Sequence, residues 1–224
     1  MTGAAAGGAV LLDLYDTLAG IESGAIEDGR KRGAELAGVD PACLLERWTA
    51  TVDVRSVGGL GSPRAELRHL LGDCSGHGAD DDLLDELVRL EAANWRSGVR
   101  LYDDVLPALA ELRRDGRRLA IVSNCSWQTA GVLEATGLAG EVDASVLSFE
   151  VGLLKPDPAI LRVALERLGA DPARSVLVDD VTANLDAARA VGLATVLMDR
   201  GGAARDPSHP AVRDLAAAGA LVAG

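Results

Sequence analysis

The sequence predicts an α/β protein: a doubly wound parallel sheet with a block of helices inserted after its first strand. Three observations carry that expectation. Short aliphatic runs end abruptly in polar residues, the first being Ala9-Val10-Leu11-Leu12 before Asp13, which suits strands buried on both faces. Strand and helix patterns alternate from Tyr102 onward, and repeated units of this length imply right-handed crossovers. The composition is aliphatic, with aromatic residues only 3% of 224, as expected of a sheet covered by helices.

Taken in order, the first strand ends at Asp13, and after Leu18 the pattern turns helical. A helix over residues 21–37 is stopped by Gly38. Asp40 then reads as an N-cap and Pro41 as a first-turn residue of a second helix over 41–54, with Leu44, Leu45 and Trp48 at helical spacing. The Gly-rich stretch 57–63 breaks the pattern, and Pro63 opens a third helix to Leu71. A polar loop over 72–78 precedes a fourth helix over 80–94 carrying Leu83, Leu84, Leu87, Val88 and Leu90. Residues 19–99 thus form an inserted helical module with no strand signal of its own, and 1–18 with 100–224 form the core. In the core, helices are expected over 104–115, 128–136, 157–168 and 183–191, and strands over 118–123, 144–148, 175–179 and 194–198. A loop-rich tail with Pro207 and Pro210 leads to a last helix over 212–221.

The formal net charge of −12 argues against nucleic acid or a membrane as partner. It still admits a small anionic substrate, because one local cation or metal can reverse the field in a small site. Cys43, Cys74 and Cys125 are odd in number and share no ligand spacing, so neither a disulfide framework nor a zinc site is indicated. Residues 1–8 lack a basic segment and the apolar run after them stops at Asp13, so no signal peptide is expected. No stretch is apolar enough to span a bilayer, and a cytoplasmic protein is the expectation. Oligomeric state has no signal in the sequence; a homodimer through the inserted helices is one candidate.

Ligands of open α/β sheets gather at the carboxyl ends of strands, and here those ends carry chemistry. The first gives Asp13 and Tyr15, the second Ser123-Asn124, the fourth Asp179-Asp180, and the loop between the third and fourth gives Lys155. Carboxylates converging from two strands repel unless a cation joins them, and Mg²⁺ takes such oxygen ligands. Lys155 could hold a nucleophilic carboxylate ionised and neutralise a bound anion. Blander readings exist for each: a solvated lysine, and an N-cap for Asp179-Asp180. Trp48 and Trp95 fall in helical patterns and read as packing residues, whereas Trp127 follows the second strand and is a pocket candidate. Arg55 lies beside the Gly-rich break, where a loop could close over the site. His69 and His77 are isolated and receive no role.

Residues 13–18 (Asp-Leu-Tyr-Asp-Thr-Leu), Val122-Ser123-Asn124, the stretch 152–158 around Lys155, and Val178-Asp179-Asp180 with Asn184 resemble the four ordered motifs of the haloacid dehalogenase superfamily of hydrolases. The helical insertion after the first motif looks like that family's C1-type cap. The resemblance implies a Rossmann-like core and Asp13 as the nucleophile of a covalent aspartyl intermediate. Ser123 would hydrogen-bond the transferring group and Lys155 would orient Asp13, with Asn124 beside them in the second motif. Mg²⁺ would lie between Asp13, the Tyr15 carbonyl, Asp179 and Asp180, while Thr17, Trp127 and Arg55 are assigned to substrate binding.

One residue departs from the phosphatase pattern. The family's phosphatases usually carry a second Asp where Tyr15 stands, to protonate the leaving group, and a phenol with a pKa of about 10 is a poor base. Asp16 occupies the neighbouring position and reads as a turn residue. Tyr15 resembles instead the L-2-haloacid dehalogenase branch, whose leaving halide requires no proton, whereas the fourth motif is of the metal-binding type. The expectation is therefore a Mg²⁺-dependent phosphatase acting on a small organic phosphate. The alternatives are a 2-haloacid dehalogenase-like hydrolase and a non-catalytic binding member of the family.

Overall fold

A computed structural model describes residues 8–75, 79–202 and 208–223. His77, Pro207 and all but the last of residues 1–8 lie outside the described residues. The chain runs β1 (Ala9–Leu12), β2 (Ala19–Ile21), α1 (Ser23–Ala37), α2 (Pro41–Ala50), α3 (Val52–Ser56), α4 (Pro63–Ser75), α5 (Asp81–Gly98) and β3 (Val99–Leu101). It continues with α6 (Val105–Arg114), β4 (Arg118–Ser123), α7 (Gln128–Ala135), α8 (Leu138–Glu141), β5 (Ala144–Leu147), α9 (Ser148–Val151) and α10 (Pro158–Leu168). Then follow β6 (Val176–Asp179), α11 (Thr182–Val191), β7 (Ala194–Met198), β8 (Ala211–Val212) and α12 (Leu215–Ala223).

Six strands form one parallel sheet in the order β5-β4-β1-β6-β7-β8. The aliphatic run of β1 is wholly buried because it lies centrally and is covered on both faces. Side chains alternate across a strand: Val10 and Leu12 enter a core with Leu109, Leu112 and Leu215, whereas Ala9 and Leu11 enter another with Ile160, Leu165 and Leu185. In register, Leu12 lies opposite Ile121 of β4 and Val178 of β6, so Asp13, Ser123 and Asp179 leave the sheet at one edge. The topological reversal beside β1 opens the crevice there.

Helices α1, α2, α4 and α5 gather around a cluster of their own, including Ala34, Leu44, Trp48, Leu70, Leu84 and Leu87. Asp40 caps α2 as expected, accepting from the Ala42 N–H at 3.1 Å. Four expectations need correction. The helix expected over 41–54 breaks at Thr51, whose hydroxyl donates to the Arg47 carbonyl at 2.8 Å, a local bond that competes with the helical ladder. Strand does occur in the inserted stretch: β2 pairs antiparallel with β3, Ile21 opposite Val99, and three-residue strands are too short to display a period of two. A sixth strand, β8, extends the sheet beyond β7. Cys43 and Cys74 form a disulfide between α2 and α4, 31 residues apart, while Cys125 is free and buried. That pairing depends on how two helices pack, which no local pattern records. Among the described residues, no helix is long and apolar enough to cross a membrane.

Candidate active site

Asp13, the first residue past β1, is 7% exposed, Lys155 is 5% exposed and Asp179 is fully buried. Lys155 Nζ donates to Asp13 Oδ1 at 2.5 Å and to Asp179 Oδ2 at 2.7 Å. Three charges so far from water persist only when paired and hydrogen-bonded. Burial alone would lower the lysine; the two carboxylates outweigh it and keep Lys155 charged. Burial pushes the Asp13 carboxyl up to about 7, against Lys155, with Asp179 and Asp180 adding to the rise.

The local sequence explains why Lys155 sits there. Asn124 clasps its backbone, donating from Nδ2 to the Lys155 carbonyl and accepting at Oδ1 from the Lys155 N–H, both at 2.8 Å. Asn124 therefore positions the lysine. Asp179 is fixed on its other side, where Oδ1 accepts from the Val181 N–H and from Asn184 Nδ2, both at 2.9 Å. Ser123 Oγ and Thr17 Oγ1 are buried without a hydrogen-bond partner, a costly state unless a ligand supplies one. The loop bearing Thr17 is held by Arg200, which donates to the Thr17 carbonyl at 2.7 Å, pairs with Asp104 at 2.7 Å and lies over the Tyr102 ring.

Tyr15 is tied elsewhere. Its hydroxyl shares a 2.8 Å hydrogen bond with Thr129 Oγ1 and its ring meets Trp95 at 5.6 Å. Burial drives the phenol well above its ordinary range, which removes it further from acid–base work near neutrality. Asp16 is exposed, has φ of 61° and closes a turn through its N–H to the Ala19 carbonyl at 2.8 Å, a conformation that Asp tolerates.

Arg55 is buried and its donors point inward, to Thr51 Oγ1 at 3.1 Å, the Trp48 carbonyl at 2.8 Å and Ser126 Oγ at 3.3 Å. Trp127 Nε1 donates to Glu66 Oε1 at 3.3 Å, and burial raises the Glu66 carboxyl. Glu91 of α5 accepts at Oε1 from Arg30, from Trp95 Nε1 at 2.9 Å and from Gln128 Nε2 of α7 at 3.2 Å. The helices of residues 23–98 are thus joined to the segment following Ser123. Sequence reasoning missed Glu66, Glu91, Ser126, Gln128, Thr129 and Arg200. One of these was legible: Glu91 falls in the buried stripe Leu84, Leu87, Glu91, Asn94 of α5, where a carboxylate at apolar spacing signals a buried partner.

Among the described residues, no three carboxylate, imidazole or thiol side chains close into a metal-sized group. Mg²⁺ does not demand one, since it is commonly held by one or two carboxylates with waters and substrate oxygens. The donor set fits that ion. Asp13, Asp179 and Asp180 are three carboxylates against one ammonium, and burial first, then Asp179, raises Asp180 as well. Such a surplus of negative charge is what a divalent cation relieves.

A parallel sheet of this strand order, with a lysine clamped between carboxylates at the carboxyl ends of its strands, defines an α/β fold built around a buried ionic site. The model of the haloacid dehalogenase-like hydrolases matches residues 8–192, and the chain belongs to that family. A phosphatase of Mycobacterium tuberculosis is 34% identical over 142 residues, 62% of this chain and 63% of the relative. The chain spans between half and two thirds of the length of the first curated relatives it matches. The fold is similar to a crystal structure of 2-haloacid dehalogenase from Pseudomonas syringae, with a TM-score of 0.78 at 23% identity over 97% of this chain and 98% of that one. It is also similar to a family enzyme from Bacteroides thetaiotaomicron in complex with magnesium and inorganic phosphate, with a TM-score of 0.65 at 20% identity over 90% and 98%.

Proposed function

We propose that this protein is a Mg²⁺-dependent phosphatase of a small organic phosphate, working through an Asp13 aspartyl intermediate under a C1-type cap formed by residues 19–99. The observation that carries the reading is Lys155 held between Asp13 and Asp179, beside the unpartnered Ser123 hydroxyl. The lysine leaves Asp13 Oδ2 as the attacking oxygen. That oxygen bonds to phosphorus as the ester P–O bond breaks, and the departing alkoxide leaves with the bond's electrons and takes a proton from solvent. Water then attacks phosphorus and gives its proton to solvent, and Asp13 departs as a carboxylate. Ser123 Oγ and Thr17 Oγ1 donate to phosphoryl oxygens, and Lys155 offsets the charge that builds on them. Mg²⁺, held by Asp13, Asp180 and the Tyr15 carbonyl with Asp179 behind them, would supply charge neutralisation at the phosphoryl group.

The phosphatase name of the Mycobacterium tuberculosis relative supports this reading, as does the magnesium in the Bacteroides thetaiotaomicron neighbour. A second reading, a dehalogenase-like hydrolase, is favoured by Tyr15, whose bonded phenol leaves no acid for a poor leaving group. The reading places the protein in the cytoplasm, and the Cys43–Cys74 disulfide, a bond uncommon in that reducing compartment, is the observation that stands against that placement. A paired turnover screen separates the readings. Phosphate release from small phosphomonoesters that stops with EDTA supports the first; halide release from 2-haloacids that ignores EDTA supports the second. Silence in both leaves the substrate open and makes the binding-protein reading the next to test.

A further inference from the structure

We infer that the cleft among α1, α2 and α3 receives the non-reacting part of the substrate, and that this part is flat and apolar, an aryl or arylalkyl group. This rests on the proposed function, to which it adds a substrate class. The cleft has a volume of about 510 Å³, within the range of small-molecule sites. Its apolar wall includes Ile26, Leu45, Trp48, Val52 and Trp95.

Three observations support the assignment. First, the cleft adjoins both segments that carry reacting groups. Trp95 meets the ring of Tyr15, two residues past Asp13, and Arg55 reaches Ser126, three residues past Ser123. Second, the two arginines on its walls have their charge met inside the protein. Arg30 pairs with Glu91 at 2.9 Å, and Arg55 faces Glu66 at 3.7 Å while its hydrogen bonds go to protein atoms. A carboxylate or second phosphate on the substrate would find no uncompensated cation among these lining residues, and Glu27 at the cleft is itself paired with Lys31 at 2.7 Å. Third, the Arg30 guanidinium lies 4.3 Å over the Trp48 ring and 5.9 Å from that of Trp95. The stack covers the Trp48 ring, which is only 4% exposed, and leaves the half-buried Trp95 as the flat indole at the cleft. Val52, 47% exposed, leaves apolar surface at the same cleft that a ligand would cover.

The test compares 2-phenylethyl phosphate, ethyl phosphate and glycerol phosphate, alkyl esters whose alcohols depart with similar difficulty. Burying the phenyl group is expected to raise kcat/KM over ethyl phosphate by about ten-fold or more, with glycerol phosphate no better than ethyl phosphate. Val52→Glu, on the surface of α3, should erase most of that preference. Equal values for the three esters, or a preference for glycerol phosphate, would overturn the assignment. Binding of 2-phenylethanol, followed by tryptophan fluorescence, reads the cleft without turnover. If the alcohol binds the wild type and not Val52→Glu while no ester is hydrolysed, the phosphatase reading fails and the cleft stands. If esters are hydrolysed without preference and the alcohol does not bind, the cleft assignment fails alone.

Discussion

Replacing Lys155 by Met removes the ammonium and keeps most of the side-chain volume. Asp13 and Asp179 are then left with a shared buried site, at 7% and 0% exposure, and without the donor that met them at 2.5 and 2.7 Å. Removing one partner of a buried ionic cluster costs about 3–5 kcal/mol. For a chain of this size each kcal/mol moves Tm by about 2–4 °C, so the midpoint should fall by roughly 6–20 °C. Lys155 also opposes the rise of the Asp13 carboxyl, which already stands at about 7. Without it the carboxyl climbs higher, the group is protonated at neutral pH, and turnover should vanish. Urea unfolding followed by circular dichroism in EDTA reads the stability, and phosphate release reads the chemistry. The triple variant Lys155→Met, Asp13→Asn, Asp179→Asn should recover much of the lost stability, because it leaves no unpaired buried charge. A Lys155→Met protein as stable as wild type would refute the picture of a lysine clamped between two carboxylates.

Tyr15→Phe should cost about 1 kcal/mol for the lost Thr129 hydrogen bond and leave turnover largely intact; abolished turnover would place the phenol in the chemistry. Reducing the Cys43–Cys74 disulfide should lower the unfolding free energy by about 2–4 kcal/mol, read by denaturation with and without dithiothreitol. Burial pushes the Asp104 carboxyl up, but hydrogen bonds from Arg200 and the Leu215 N–H, with the Arg200 charge, hold it below its ordinary 3.8. A depressed folded pKa gives stability that is present above the unfolded value and lost as pH falls through the folded one. Asp104→Asn should therefore be less stable than wild type at pH 7, and the two should converge in acid; a constant gap across pH would contradict this.

Much of the core was legible because its signals are local. A buried parallel strand reads as an aliphatic run, and a carboxylate or hydroxyl that ends such a run marks the sheet edge; Asp13, Ser123 and Asp179 were found that way. What Asn124 does was not legible, since its clasp on Lys155 spans 31 residues. The inserted helices were visible by periodicity, but their connections were not. The short β2–β3 pair, the Cys43–Cys74 disulfide and the Arg55–Glu66 pair all depend on how helices pack. Arg55 illustrates the limit: an arginine beside a Gly-rich stretch invites assignment to an anion, and no local pattern shows that three of its donors meet Thr51, Trp48 and Ser126.

The central claim is that Asp13 carries the transferred group. It is tested most directly by mixing the protein with a hydrolysed phosphomonoester, quenching in acid within a single turnover, and mapping the peptide containing Asp13 by mass spectrometry. A phosphoryl group on Asp13, absent from the Asp13→Asn protein together with all phosphate release, is the predicted result. Phosphate released with Asp13 unmodified, or by Asp13→Asn at the wild-type rate, would contradict it.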